Sequence, residues 1–356
     1  MTRRRRNHYD VTNRVRISHV ADVRHAVKSI LAGLYPKTSL APLDRAFDTF
    51  ARLYAGTLPG YAGCDTWYHD AQHGLDCTLA MARLLDGHER SDAATRPLGD
   101  RRAILGIIIA LFHDAGYIRR TGDTAVHGAE FTLTHVRRSG EFLAGFLPTV
   151  GFADRVKLTH HLVHYTGYEI ALDRIAVRGA QDRMLGFLLG TADILAQTAD
   201  ACYLEKCRDY LYREFEICGM AGSGIPGGPR VLYDSPRDLL QKTPDYNRHL
   251  WEDRLDGYFG GVHRYMAVHF GGGNPYVEQV RAHLRQVRQL TRSRRLGQLR
   301  KRPQVIGARA MRQQLPLPDA SVRRGDQTVA GRRRLSHPAA AVSPRRPLQT
   351  RRARSG

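Results

Sequence analysis

From about Val20 to Leu290 the apolar residues recur at the spacing of an α-helix and not in the alternation of a strand. Leu40, Leu43, Phe47, Phe50 and Tyr54, for example, fall on one stripe of a helix. The pattern breaks where turns are needed: at Gly33 followed by Pro36, across Gly60 to Gly63, at Gly87, at Pro97 with Gly99, and at Pro148 before Gly151. An all-α fold follows, with about nine to eleven helices at ordinary helix and loop lengths.

One stretch resists any regular structure. Gly219 to Pro229 holds five glycines and two prolines in eleven residues, a composition suited only to a loop. We expect it to divide a catalytic domain over residues 17–218 from a helical C-terminal cap over 230–296. Beyond Gly297 the chain turns to Arg, Pro, Gln, Ser and Ala with few large apolar residues. Such a segment buries too little surface to offset its ordering entropy, so residues 297–356 are expected to be disordered.

The formal charge of +21 sits at the ends. A basic N-terminal arm, residues 1–16, carries six Arg against one Asp, and residues 297–356 carry fourteen Arg and one Lys against two Asp. Only a small positive surplus is left for the middle. Basic tails attract polyanions non-specifically, but the arginines lack interleaved aromatics on which bases could stack. The five cysteines are odd in number and form no Cys-x-x-Cys pair, which points away from a disulfide framework and towards a reducing, cytoplasmic compartment. The most apolar run, Ala103 to Phe112, is about half of the roughly 20 residues a bilayer span needs, and Thr2 to Arg6 leads into Asn7-His8-Tyr9-Asp10, not into the apolar stretch of an export signal. No membrane span is expected.

Chemistry enters where polar residues interrupt apolar helices. His113-Asp114 follows directly on Ile104 to Phe112, and Asp193 stands inside Met184 to Ala196. Burying such groups costs several kcal/mol unless each is paired or ligates a metal. His69 and His73 are four apart, so on a helix their imidazoles would share a face, with Asp76 three residues further on that face. Each residue alone has an ordinary explanation, such as a hydrogen-bonded core histidine or a capping aspartate. Together, two imidazoles and two carboxylates make a set suited to a hard or borderline divalent ion.

Tyr68-His69-Asp70-Ala71-Gln72-His73-Gly74-Leu75-Asp76 resembles the Tyr-His-Asn-x-x-His-Ala-x-Asp signature of cyclic-nucleotide phosphodiesterases, which belong to the wider HD superfamily of metal-dependent phosphohydrolases. Phe112-His113-Asp114 looks like the His-Asp doublet of that superfamily, and Thr191-Ala192-Asp193 is placed like its final ligand. The resemblance covers residues 60 to 200 and implies an HD-domain helical bundle. It implies His73, His113, Asp114 and Asp193 as metal ligands and His69 as the acid that protonates the leaving oxygen. Asp70 and Gly74 depart from the signature. The later histidines at 127, 135, 160, 161 and 164 resemble the order in the cyclic-di-nucleotide branch, which would make His127, His160 and His161 ligands of a second metal; the alternative for each is an exposed or capping histidine.

The implied cofactor is one or two divalent ions, Mn, Mg, Fe or Zn. Such an ion lowers the pKa of a water and neutralises phosphoryl charge, with Asp114 or Asp193 orienting that water and His69 one turn from His73. The implied partner is a small nucleotide or other phosphoester, a cyclic nucleotide first, with nucleotidase or triphosphohydrolase activity as the alternative. Gln197, Tyr203 and Phe215 could serve a base pocket or simply be core or surface. The rival from another class is a non-catalytic nucleic-acid or polyanion binder working through the Arg-rich tails.

Overall fold

The computed structural model describes residues 5–91 and 96–315. Among these residues the chain is helical and contains no named strand, only three isolated β-bridges. The helices are α1 (Val20–Leu34), α2 (Ala41–Ala55), α3 (Ala71–Glu89), α4 (Asp100–Phe112), α5 (His135–Phe146), α6 (Val156–Leu162), α7 (Ala180–Thr198), α8 (Tyr203–Lys206), α9 (Tyr212–Ile217), α10 (Pro236–His249), α11 (Tyr265–Phe270), α12 (Pro275–Arg292) and α13 (Ala308–Arg312). The excess over the expected nine to eleven comes from short pieces: α6, α8, α9, α11 and α13 have seven residues or fewer. Two segments, Cys207–Leu211 and Leu250–Tyr258, are π-helical.

The layout follows from α3. Every residue from Ala71 to His88 is buried, so the helix has no solvent face and must be enclosed. α1, α4, α7 and α11 pack around it. α4 and α7 are equally apolar, with Ala103 to Phe112 buried without a break. Each of those large side chains contributes roughly 1.5–3 kcal/mol of transfer free energy. The polar residues of α3 therefore need partners inside the protein. Arg83 finds the Asp10 carboxylate and the Tyr276 hydroxyl, and Asp86 finds Arg90 and His269. Gly74 sits where helix and ring approach closely: a Cβ there would lie 3.2 Å from the Phe50 ring, tighter than ordinary contact.

The glycine-rich stretch is a loop, but the division around it does not hold. The described residues up to Leu315 belong to one compact unit. α11, from the expected cap, packs on α3, and α12 packs on α7. Physically, α3 and α7 are too apolar to stay uncovered, and the later helices cover them.

Both expected tails also need correction. Residues 5–16 are not a loose arm: Asp10 is fully buried and accepts hydrogen bonds from the backbone N–H groups of Thr12, Arg14 and Val15. Residues 299–315 are not disordered. Leu299, Ile306 and Met311 are buried, Ala71 N–H donates to the Ile306 carbonyl at 3.2 Å, and Ala308 N–H donates to the Cys64 carbonyl at 2.9 Å. Three well-placed apolar side chains and a satisfied backbone anchor a segment whose average composition is that of a disordered one. Some of its basic residues are struts, as where Arg312 Nε donates to the Ala55 carbonyl. The rest of the expected basic tail, 316–356, and residues 1–4 lie outside the described residues. Among the described residues no helix is long and apolar enough to cross a membrane, and all five cysteines are free and buried.

Candidate metal centre

Three helices deliver the ligand-type side chains. His73 comes from the first turn of α3, His113 and Asp114 from the end of α4, and Asp193 from the interior of α7. The nitrogen Nε2 of His73 lies 3.2 Å from Nε2 of His113, 3.4 Å from Asp114 Oδ2 and 3.1 Å from Asp193 Oδ1. His113 Nε2 is 3.3 Å from Asp114 Oδ2 and 3.6 Å from Asp193 Oδ1. All four residues are at most 8% exposed.

These separations fit a cation. Adjacent ligand atoms around an octahedral ion with bonds of about 2.1 Å stand roughly 3 Å apart, and slightly further in a tetrahedron. Asp114 Oδ2 is buried with no hydrogen-bond partner, an expensive state for a carboxylate oxygen unless a ligand meets it. His113 Nδ1 donates to the Ala110 carbonyl at 2.8 Å, which turns Nε2 towards the cluster as the nitrogen that would ligate an ion once it gives up its proton. Burial disfavours charge on His113, yet Asp114, Cys77 and Asp193 together offset it and hold its pKa well above the usual imidazole value. Burial likewise raises Asp114 and Asp193, and His113 beside them outweighs it, so both end well below the usual carboxylate range. The cluster asks for positive charge at its centre. Cys77, one turn beyond His73, forms a second ligand-type group with His113 and Asp193, but burial pushes its thiol up to about 11 and keeps it protonated.

His69 differs from the sequence expectation. α3 starts at Ala71 with Asp70 as its N-cap, so His69 lies just before the helix and does not share a helical face with His73. Their ring centroids are still only 6.2 Å apart. Asp70 uses both carboxylate oxygens: Oδ1 accepts the His73 N–H at 3.1 Å and Oδ2 accepts the Ile306 N–H at 2.7 Å. An amide offers one acceptor oxygen; a carboxylate offers two.

What holds His69 is Glu214, which sequence reasoning passed over. This fully buried carboxylate accepts the backbone N–H groups of Trp67 and Tyr68 on Oε1, at 2.6 and 2.7 Å, and the His69 Nδ1–H on Oε2 at 2.6 Å. Burial alone would lower the His69 pKa, but Glu214 outweighs it and the net shift is upward. His69 also stacks on Tyr117, ring centroids 4.4 Å apart. Its only advance sign was a Glu at the end of Tyr212-Arg213-Glu214, a segment too polar for one carboxylate to stand out.

His135 is the other residue missed. Its Nδ1 donates to the Thr132 carbonyl at 2.7 Å and its Nε2 faces Asp114 Oδ1 at 3.6 Å. Burial drives its pKa down to about 4, leaving a neutral imidazole. Gly116 permits this approach, since a Cβ there would fall 1.9 Å from the His135 carbonyl oxygen.

The expected second-metal residues do not assemble. Among the described residues, His127, His160 and His161 belong to no ligand group. His127 is a capping histidine: its Nδ1 accepts the Ala129 N–H at 3.1 Å and its ring lies on Trp67. His161 is exposed and His160 half-buried on α6. Asp76 sits on α3 but outside the cluster, where burial raises its pKa to about 7.

The cluster forms part of the wall of a cavity of about 480 Å³. His69, His73, Asp114 and Asp193 face one part of it; Gln197, Tyr203 and Phe215, the three base-pocket candidates, also line it. No family model, curated protein or solved structure matches this chain.

Proposed function

We propose that this chain is a metal-dependent phosphohydrolase of the HD type that cleaves a phosphodiester, a nucleotide first among candidates. The observation that carries the reading is the convergence of His73, His113, Asp114 and Asp193 from three helices onto one point of a cavity wall, with an unpartnered carboxylate oxygen among them. These four residues would hold a divalent ion of the Mn, Mg, Fe or Zn group. When bound, such an ion supplies charge neutralisation at phosphorus and lowers the pKa of a water.

The remaining chemistry belongs to the chain. His69 is the general acid. Its Nδ1–H is committed to Glu214, so its Nε2–H is the proton available to the departing oxygen. Glu214 favours the protonated form of His69, whose pKa is raised from the usual imidazole value. As the bond from phosphorus to the leaving oxygen breaks, that oxygen takes the proton and His69 becomes neutral. The water oxygen forms the new bond to phosphorus as its proton passes to the carboxylate that orients it, Asp114 or Asp193.

The test is turnover of bis(4-nitrophenyl) phosphate and of cyclic nucleotides, nucleotides and dinucleotides, with manganese, magnesium or iron supplied. The reading requires metal-dependent phosphodiester cleavage that falls at least about 100-fold in His69→Ala while metal content is unchanged. Full activity of that variant removes His69 from the mechanism.

A further inference from the structure

Arg254 lines the same cavity as the ligand cluster and, among the described residues, is the only Lys or Arg in its wall. It is 7% exposed. Its Nη2 donates to the Gly167 carbonyl at 2.7 Å, and its guanidinium lies 4.2 Å from the Tyr168 ring centroid. Nε is buried with no hydrogen-bond partner. Among the described residues no carboxylate lies within ion-pairing distance of it, although other buried cations have one: Arg83 has Asp10 and Lys206 has Asp200. Glu169, the acidic residue of the wall nearest in sequence to Gly167, has its two oxygens on the N–H groups of Val136 and Arg137.

A buried guanidinium without a counter-charge is a costly arrangement that an anionic ligand relieves. Its backbone setting is also unusual. Arg254 stands in the π-helical segment Leu250–Tyr258, and the second π-helical segment, Cys207–Leu211, gives Cys207 and Leu211 to the same cavity. π-helical insertions cost hydrogen-bond quality and concentrate at functional sites. Tyr203, Phe215, Tyr233 and Tyr246 are further wall residues, giving a ring-lined surface in addition to the two charged features.

We infer that Arg254 is an anion subsite, and that the substrate is a nucleotide phosphodiester carrying a second phosphate in addition to the one that reacts. This rests on the phosphohydrolase reading for the role of the metal cluster. The cluster engages the scissile phosphate, the aromatic wall takes the base and sugar, and the guanidinium forms charge-assisted hydrogen bonds to the second phosphate. A cyclic mononucleotide, with one anionic group, leaves Arg254 unused.

The experiment compares two linear dinucleotides that differ by a single group: ApA, whose one phosphate is the diester, and pApA, which adds a 5′-phosphate. Dissociation constants are measured by calorimetry on the full chain with manganese supplied. The expected result is at least tenfold tighter binding of pApA, a preference that collapses towards one in Arg254→Gln and is largely retained in Arg254→Lys. Equal affinities in the unmodified protein, including no binding of either, overturn the inference without recourse to any variant. So does a preference that survives Arg254→Gln in a protein that still melts cooperatively. Turnover of bis(4-nitrophenyl) phosphate is recorded in parallel. Its absence counts against the phosphohydrolase reading, whereas the pApA preference judges the subsite.

Discussion

Two stretches of the cavity wall are built on different principles. The ligand cluster hangs on α3, α4 and α7, long helices whose apolar surfaces are enclosed on all sides. The wall contributed by residues 203–258 comes from α10 together with short helices, two π-helical segments and a glycine-rich loop. The first fixes four side chains within a few tenths of an ångström of one another's van der Waals reach, as ligation demands. The second presents rings and one guanidinium on a backbone with fewer regular hydrogen bonds. On the proposed reading, precision of chemistry and choice of substrate fall to different architectures.

The largest effect is expected where the two regions meet, at Glu214 and His69. Glu214→Gln keeps an acceptor for the Trp67 and Tyr68 N–H groups but loses the charge beside His69. We expect phosphodiester turnover to fall about 10- to 100-fold. The sign of the pH effect follows from the upward shift: His69 acts when protonated, so activity is lost as pH rises through its raised pKa, and removing Glu214 moves that loss to lower pH. A pH–rate profile with an unmoved alkaline limb would show that Glu214 only positions the loop.

A second effect, read in stability and not in rate, concerns how the later helices hold α7. His283 on α12 is buried and its Nδ1 donates to the Thr198 carbonyl at the end of α7, 3.0 Å away. Burial lowers its pKa to about 4. Its unfolded value is near 6.5, so the unfolded chain binds the extra proton between those values. Stability is therefore full above about pH 6.5 and declines as pH falls towards 4, by up to about 3 kcal/mol. Denaturant melts between pH 7 and 4.5 read this directly. His283→Gln should flatten that slope, and an unchanged slope would assign the acid sensitivity elsewhere.

The smallest effect tests the segment at 299–315. Asp70→Asn preserves the helix cap on His73 but loses the acceptor for Ile306 N–H. A loss of about 1 kcal/mol is expected, or roughly 2–4 °C in Tm. No change at all would mean that Ile306 is held by its burial alone.

These contrasts also explain what the sequence disclosed. His113, Asp114 and Asp193 were visible because each interrupts an apolar helix, where a polar residue has no inexpensive reason to be. The all-helical class was visible for the same reason, in the 3.6-residue periodicity. Glu214 and Arg254 were not, since both lie in mixed polar segments where one more charge gives no contrast. His135 could not be told from His127, His160 and His161 by order along the chain; only the fold separates the one beside Asp114 from the three that stand apart. Residues 299–315 misled through average composition, because three apolar side chains suffice to anchor them: Ile306 and Met311 join the main core, and Leu299 joins the smaller cluster with Tyr203 and Leu290.

The central claim is that four buried polar residues exist to hold a divalent ion. Elemental analysis by mass spectrometry, after purification and dialysis, tests it on the unmodified protein and on Asp193→Asn, with circular dichroism as the check on folding. The account predicts a bound divalent metal in the unmodified protein, its loss in the folded variant, and a drop in Tm when a chelator strips it. A metal-free protein that melts at the same temperature with or without added manganese, iron or zinc would contradict it.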